Sequence, residues 1–433
     1  MWLREQMLSL LDTAIRSAHP ENCLPRHLPA PPRAGAGRLI VLATGKAAPA
    51  MVRASERHYR NLGAIERMEG FATTRHGWAL ATERIELVEA GHPIPDLASV
   101  RAGERALEFA NEARAGDLVL LLLSGGASAL WSVPVRGVDL AAKQAVTRAL
   151  LATGARIDEI NTVRKHLSRI KGGRLARAVA PAHLMTLAIS DVPGDDPAAI
   201  GSGPGVGDPT SLADARCVLA RYAITPPPGV AAALADAANE TPAADAPFLA
   251  DNSYDLVATP AMSLEAAARR ARDLGYRVRM LGDALEGEAR VLAREHAQLA
   301  REIARTGTGA EPVALLSGGE ATVTLKGRGR GGPNQEYALA LALALDGASG
   351  ITALAADTDG TDGGSGAVDD PAGAMVWPDT LARARELGLN GVNFLEDNDS
   401  GGFFGALGDL IVSGPTQTNV NDFRAILIGS GSH

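Results

Sequence analysis

Leu118-Val119-Leu120-Leu121-Leu122-Leu123-Ser124-Gly125-Gly126-Ala127-Ser128 is six aliphatic residues running into a small, polar, glycine-paired turn. A short continuous apolar run ending in turn residues reads as a strand buried on both faces. Around it, residues 38–43, 85–90 and 184–190 read as further strands. Residues 97–114, 138–153 and 157–179 read as helices, the last with a break at Gly172-Gly173. Strands separated by helices of this length imply βαβ units and a mainly parallel sheet with helices on both faces, a three-layer α/β/α domain. The same alternation resumes after a Pro/Ala-rich stretch: strands at 255–259, 277–281, 313–316, 321–325, 351–356 and 425–428, with helices at 263–274, 287–305 and 334–345 between them. The pentapeptide Leu-Leu-Ser-Gly-Gly recurs at 122–126 and 315–319. Each copy reads as a strand entering a turn, and ligands of open parallel sheets gather at such strand ends. Two ends facing one cleft between two domains are therefore expected. The boundary is placed near 307–311, which divides the chain into 1–309 and a smaller α/β domain, 310–433.

The chain has 433 residues, a size for about two or three domains at ~100–200 residues each. Hydrophobic residues make up 46% and charged residues 21%, a globular balance. The net charge of −8 gives no bulk basic field for nucleic acid or anionic lipid. Its two cysteines, Cys23 and Cys217, form no CxxC, which suits a reducing cytoplasm and provides no cysteine zinc site. No apolar run approaches the ~20 residues a membrane span needs. The N-terminus has an early acid and apolar residues at helical spacing, so it reads as an amphipathic helix and not a signal peptide. The 42 basic residues include only five lysines: Lys46, Lys143, Lys165, Lys171 and Lys326. Where Lys persists beside glycine, a need for a compact ammonium is implied.

Five segments carry groups suited to phosphate chemistry. Ser124, Gly125, Gly126, Ala127 and Ser128 offer exposed amides and two hydroxyls to an oxyanion. Their order fails the Gly-x-Ser-x-Gly pattern of a serine-hydrolase elbow. Lys46, after Thr44-Gly45 at a strand end, places an ammonium where a carboxylate or phosphoryl group would bind, without a Walker A motif. The run 326–336, Lys-Gly-Arg-Gly-Arg-Gly-Gly-Pro-Asn-Gln-Glu, satisfies Gly-x-Gly-x-x-Gly. Its three cations exceed what a pyrophosphate on backbone amides requires, and they suit a transferring phosphoryl group instead. Pro333 at the first helical turn would leave amide ends open to an anion. Finally, Asp191 in 190–196 and Asp359 in 357–364 put carboxylates just past strands, as Mg²⁺ bound together with substrate phosphates prefers. The second run opens like an EF-hand but has Val368 where a Glu is needed. On the basic stretch 161–173, Lys165 and Arg169 share a helix face that fits an acidic ligand or plain solvent equally well. No HExxH-like histidine pair points to zinc.

Together these motifs resemble the glycerate 2-kinases, a group often carrying the older name hydroxypyruvate reductase. The resemblance is carried by Ala43-Thr44-Gly45-Lys46-Ala47, 122–128, 161–173, 190–204, 315–320, 327–336, 357–363 and 414–422 (GPTQTNVND), and it spans nearly the whole chain. It implies an N-terminal three-layer α/β domain, a smaller C-terminal α/β domain and an active site in the cleft between them. It also implies ATP- and Mg²⁺-dependent phosphorylation of D-glycerate at its 2-hydroxyl. By position, Lys46 and an arginine of the glycine loop would be the catalytic cations. Arg330 is preferred over Arg328 because it lies nearest the Gly-Gly that opens the helix. Asp191 would act as a catalytic carboxylate, and Asp191 and Asp359 would hold the metal. Ser124 to Ser128, Lys165, Ser317, Gly318, Gly319, Arg328, Asn334 and Glu336 would hold substrate and phosphate. One departure stands out: the family commonly has Arg before Asn-Gln-Glu, where this chain has Pro333. The expected partners are D-glycerate and ATP, with neither nucleic acid nor membrane, and a homodimer is left open. Two other readings are an NAD(P)H-dependent hydroxypyruvate reductase, prompted by 327–332, and a non-catalytic phosphometabolite-binding regulator.

Overall fold

The computed structural model describes residues 2–33, 35–306, 311–364, 367 and 369–429. The chain divides into two compact units, Pro20–Val257 and Met1–His19 with Ala258–His433. The division differs from the expected 309/310 boundary because the strand Arg277–Glu288 pairs with the strand Val313–Thr322, which draws both into the second unit. Residues 307–310 of that expected boundary, and Val368, lie outside the described residues.

The first unit is built on β1 (Leu39–Thr44), β2 (Met68–Arg75), β3 (Glu86–Ala90), β4 (Leu118–Leu123), β5 (His183–Ile189) and β6 (Ser253–Ala258), in the order β3-β2-β1-β4-β5-β6. The β1–β2, β2–β3, β1–β4 and β4–β5 pairings are all parallel. Every residue of β1 and β4 is buried, as a central strand covered on both faces requires. The helix Leu97–Glu112 is started by a capping box, with Asp96 accepting from the Ser99 amide. Its buried face, Ala102, Ala106, Leu107 and Ala110, joins Val119, Leu121 and Leu123 in one core. The order of strands reverses between β1 and β4, and their register aligns Thr44 with Leu123. The two turns after them, Gly45-Lys46 and Ser124-Gly125-Gly126, therefore emerge side by side at a topological switch point, where open α/β sheets bind ligands.

The second unit carries β7 (Arg277–Glu288), β8 (Val313–Thr322), β9 (Ile351–Asp357), β10 (Gly373–Val376), β11 (Leu410–Ile411) and β12 (Asp422–Ile428), in the order β11-β10-β9-β12-β8-β7. This sheet is mixed: β7–β8 is parallel, whereas β12 runs antiparallel to both β8 and β9, and β10 to both β9 and β11. The N-terminal helix Trp2–Ala18 belongs to this unit. Its Met7, Leu10, Leu11 and Ala14 pack with Leu264, Ala267, Ala268 and Ala271 of the helix Pro260–Asp273. Ser263 Oγ donates to Ala14 O at 2.8 Å, and Tyr276 Oη to Gln6 Oε1 at 2.7 Å. Among the described residues, no helix is long and apolar enough to cross a membrane.

One expected feature is corrected. Residues 313–316 and 321–325 are not two strands with a turn between them. β8 runs unbroken through Ser317, Gly318 and Gly319, with Ser317 paired to Arg424 and Gly319 to Leu285. A Cβ on Gly319 would collide with the Leu285 backbone, so the glycine pair lets β7 approach at its irregular register.

Candidate functional site

In the first unit, Gly45 is left-handed with φ +131°, and a Cβ there would collide with Ser124. This glycine allows the two turns to knit together. Lys46 N donates to Gly125 O at 2.8 Å, and Ala47 N to Ser124 Oγ at 3.0 Å. Gly126, also left-handed at φ +86°, opens the short helix Ala127–Leu130, with the Lys46 stem and the His92 ring beside it. The amides of Gly125 and Gly126 have no hydrogen-bond acceptor among the described residues. Two unpaired donors beside a half-buried lysine make a positive corner suited to an oxyanion. Ser128 Oγ lies 2.8 Å from Ser202 Oγ, and its carbonyl accepts from Lys171 Nζ at 2.7 Å. Asp191 is half-buried and lies just past β5, so it stands at the carboxyl edge of the same sheet.

The basic stretch 161–173 is arranged differently from its expected solvated or ligand-binding face. Lys165 is buried and donates to Asp208 Oδ1 at 2.7 Å, so it serves an internal ion pair. Arg169 is exposed near Glu104. His166 is buried against Thr162 O at 2.8 Å and Glu240 at 3.0 Å. Sequence reasoning missed Lys143, Arg164 and Arg174. Lys143 is buried, its Nζ has no hydrogen-bond partner, and burial with the nearby Arg164 and Arg174 pushes its ammonium down to about 7. The signal that pointed that way was the rarity of lysine, since Lys143, Lys165 and Lys171 are all buried.

In the second unit, the glycine loop lies flat on the segment 397–400. Side chains at Gly327, Gly329 and Gly331 would collide with Asp397, Asp399 and Ser400. The amides of 328–330 are used there: Gly329 N donates to Asp397 O at 2.9 Å, Arg328 N to Asp397 Oδ1 at 3.1 Å and Arg330 N to Asp399 Oδ1 at 2.9 Å. The helix Pro333–Leu345 is capped internally, because Asn334 N and Gln335 N donate to the Asp362 carboxylate at 2.9 and 2.8 Å. Burial, with Asp422 adding to it against these amides, pushes Asp362 up to about 7. The amide ends expected to hold an anion are thus already occupied. Asn334 Nδ2 donates to Asp422 at 2.5 Å, and Glu336 is buried in an ion pair with Arg290 at 2.6 Å. Both were expected at the ligand and instead hold the unit together, as do Ser317, Gly318 and Gly319 within β8. Arg424 donates to Gly318 O at 3.1 Å.

The guanidinium groups of Arg328 and Arg330 are exposed and have no hydrogen-bond partner among the described residues. They differ in surroundings. Arg330 lines a cavity of about 680 Å³ whose walls include Gly329, Gly331, Gly401, Pro371 and Leu410, whereas Arg328 does not. Asp359 is buried, and its Oδ1 accepts from Thr361 N at 2.8 Å and Thr361 Oγ1 at 3.0 Å in a tight turn after β9. No group of three or more His, Cys, Asp or Glu placed to hold a metal occurs among the described residues. One or two hard carboxylate oxygens, as at Asp191 and Asp359, fit Mg²⁺ that takes its remaining ligands from phosphate and water.

Residues 6–235 match a domain of unknown function (DUF4147), and residues 313–422 match the MOFRL family. A protein from Agrobacterium vitis, provisionally named hydroxypyruvate reductase, is 48% identical over 98% of this chain and 94% of its own. The D-glycerate 2-kinase of Thermotoga maritima is 37% identical over 98% of each chain. The glycerate 2-kinase of Pyrococcus horikoshii is 39% identical over 91% of this chain and 88% of its own. The crystal structure of a Thermotoga maritima glycerate kinase superposes with a TM-score of 0.86 at 36% identity, covering 99% of both chains.

Proposed function

We propose, from the premise that this chain belongs to the glycerate 2-kinase family, that it transfers the γ-phosphoryl group of ATP to the 2-hydroxyl of D-glycerate, releasing ADP and 2-phospho-D-glycerate. The observation that carries the reading is the corner at the β1/β4 switch point. There Lys46 stands beside the unpaired Gly125 and Gly126 amides. Phosphoryl transfer demands positioning and neutralisation of charge more than covalent chemistry, and this corner provides both. Lys46 and the two amides hold the developing oxyanion, with Ser124, Ala127 and Ser128 shaping the turn. Arg330 is assigned to phosphate charge in preference to Arg328, since it alone of the two borders the glycine-walled cavity. Asp191 orients the acceptor hydroxyl and accepts its proton. Asp191 in one unit and Asp359 in the other are each a candidate carboxylate for Mg²⁺, which when bound would neutralise phosphate oxygens.

The reductase reading is not favoured. A dinucleotide pyrophosphate rests on the amides of a glycine loop and of the helix it opens. In this chain the loop donates to Asp397 and Asp399, and the helix to Asp362. The test is a coupled assay of ADP release. ADP formation that requires both D-glycerate and Mg²⁺ is expected, with no oxidation of NADH or NADPH by hydroxypyruvate. Reduced-nicotinamide oxidation without ATP would reverse the assignment.

The two arginines provide a sharper comparison. Arg330→Ala should lower kcat by about 10²- to 10³-fold, the usual loss when a charge-stabilising donor is removed. Arg328→Ala should stay within about fivefold, like other exposed cations that touch no ligand. Equal losses in the two steady-state assays would remove the distinction drawn from the cavity.

A further inference from the structure

We propose that Lys143, Arg164 and Lys171 form a recessed receptor for a small oxyanion, a carboxylate or a phosphate, beneath the Ser124-to-Ser128 turn. The receptor itself stands on geometry; only the naming of D-glycerate as its ligand rests on the kinase reading.

Lys143 comes from the helix Leu140–Ala152, Arg164 from the helix Ile157–His166, and Lys171 from the turn before the helix Arg174–Val179. The exposures of Lys143 and Lys171 are 5% and 2%. Lys143 Nζ has no hydrogen-bond partner, and the Arg164 guanidinium has none among the described residues. Lys171 Nζ donates to the Ser128 carbonyl at 2.7 Å. The neighbouring cation Arg174 is already committed to the carbonyls of Lys165, Ser168 and Asn239. Of the carboxylates on the neighbouring segments, Glu240 accepts from His166 and the Leu212 amide, and Asp208 accepts from Lys165 and Thr210 through Oδ1 alone, its buried Oδ2 having no hydrogen-bond partner.

Buried ionic groups in proteins are normally paired, because an isolated charge loses its hydration without compensation. Here the reverse arrangement is built. The segments are drawn together by packing: Ser202 Oγ lies 2.8 Å from Ser128 Oγ and 3.5 Å from Asn161 Oδ1, its carbonyl accepts from Gly172 N at 3.0 Å, and the helices bearing Lys143 and Arg164 share a core through Val146, Ile160 and Val163. In keeping with this, burial first and Arg164 next lower the Lys143 pKa, and burial first and Lys143 next lower that of Lys171. An anion would satisfy the Lys143 ammonium and the Arg164 guanidinium together, and the half-buried Arg164 leaves a side by which it can enter. Charge-assisted hydrogen bonds of this kind are stronger than neutral ones. Through Ser128, the receptor is tied directly to the turn whose Gly125 and Gly126 amides face the reacting oxyanion.

The test is thermal unfolding of the wild type, Lys143→Met and Arg164→Gln, each without ligand, with D-glycerate, with glycerol and with inorganic phosphate. D-Glycerate, and not glycerol, should raise the wild-type Tm. Both variants should lose the shift, with apparent affinity weakened about 10- to 100-fold. Unliganded Lys143→Met should melt at or above the wild type, since an uncompensated ammonium has been removed. A shift with phosphate in place of D-glycerate supports the receptor and assigns it to the phosphoryl group. A Lys143→Met protein that melts lower and keeps its ligand shift would overturn the proposal, as would a wild type that responds to neither anion. The two readings separate cleanly. An anion-dependent shift without ADP formation retains the receptor and removes the kinase. ADP formation with unchanged D-glycerate affinity in both variants removes the receptor and retains the kinase.

Discussion

Lys46→Ala is expected to lower kcat about 10³-fold, and kcat/KM for ATP by a similar factor. The size reflects the role. Cationic groups that stabilise a transferring phosphoryl group contribute about 10³- to 10⁵-fold, and one oxyanion donor about 10²- to 10³-fold. Lys46 is fixed for this by three features: its amide bonds to Gly125 O, Gly45 admits the Ser124 turn close beside it, and its stem lies against Gly126. An ammonium on so well-anchored a backbone is preorganised, so its loss falls on the transition state more than on binding. Initial rates of ADP release at saturating D-glycerate and Mg²⁺ measure the effect. A variant with wild-type kcat would take Lys46 out of the mechanism.

The second large effect is on stability. Asp208→Ala should destabilise the protein by about 3–5 kcal/mol, because it strands the buried Lys165 ammonium. At roughly 2–4 °C per kcal/mol for a domain of this size, the melting temperature should fall by about 10 °C. The pair is 2.7 Å apart, with side-chain exposures of 6% and 0%. Burial acts to raise the Asp208 pKa, and the Lys165 hydrogen bond and charge outweigh it, leaving the carboxyl below its usual range. The pair's contribution is therefore complete above the ordinary aspartate pKa and is lost as the pH falls through the lowered value. Replacing both partners, Lys165→Met with Asp208→Leu, should recover much of the loss, since an apolar pair removes the stranded charge. The double variant should keep its KM for D-glycerate within about twofold of the wild type, as expected for groups that touch no ligand. A large rise in KM with little change in melting would return Lys165 to the substrate.

The parts of the fold legible in the sequence are those where burial leaves a periodic trace. β1 and β4 are covered on both faces, so they show as uninterrupted aliphatic runs, and the turns after them show as glycine and serine. β2, whose sequence Met-Glu-Gly-Phe-Ala-Thr-Thr-Arg mixes charge, glycine and threonine, leaves no such trace. Ser317-Gly318-Gly319 misleads for a physical reason. Two glycines usually break a strand, but here they make room for a bent neighbour inside one. The glycine loop misleads similarly. Its spacing matches a phosphate-binding fingerprint, whereas packing against 397–400 accounts for Gly327, Gly329 and Gly331. Lys165 and Lys143 show the limit for side chains. Both occupy helix positions where lysine ordinarily meets water, and only tertiary packing reveals that one has a carboxylate and the other has none.

The most direct test of the kinase assignment is ³¹P NMR of the product formed from ATP and D-glycerate. Transfer to the 2-hydroxyl predicts a phosphate monoester whose phosphorus is split into a doublet by the single C2 proton. A triplet from the two C3 protons, or free inorganic phosphate alone, would contradict it.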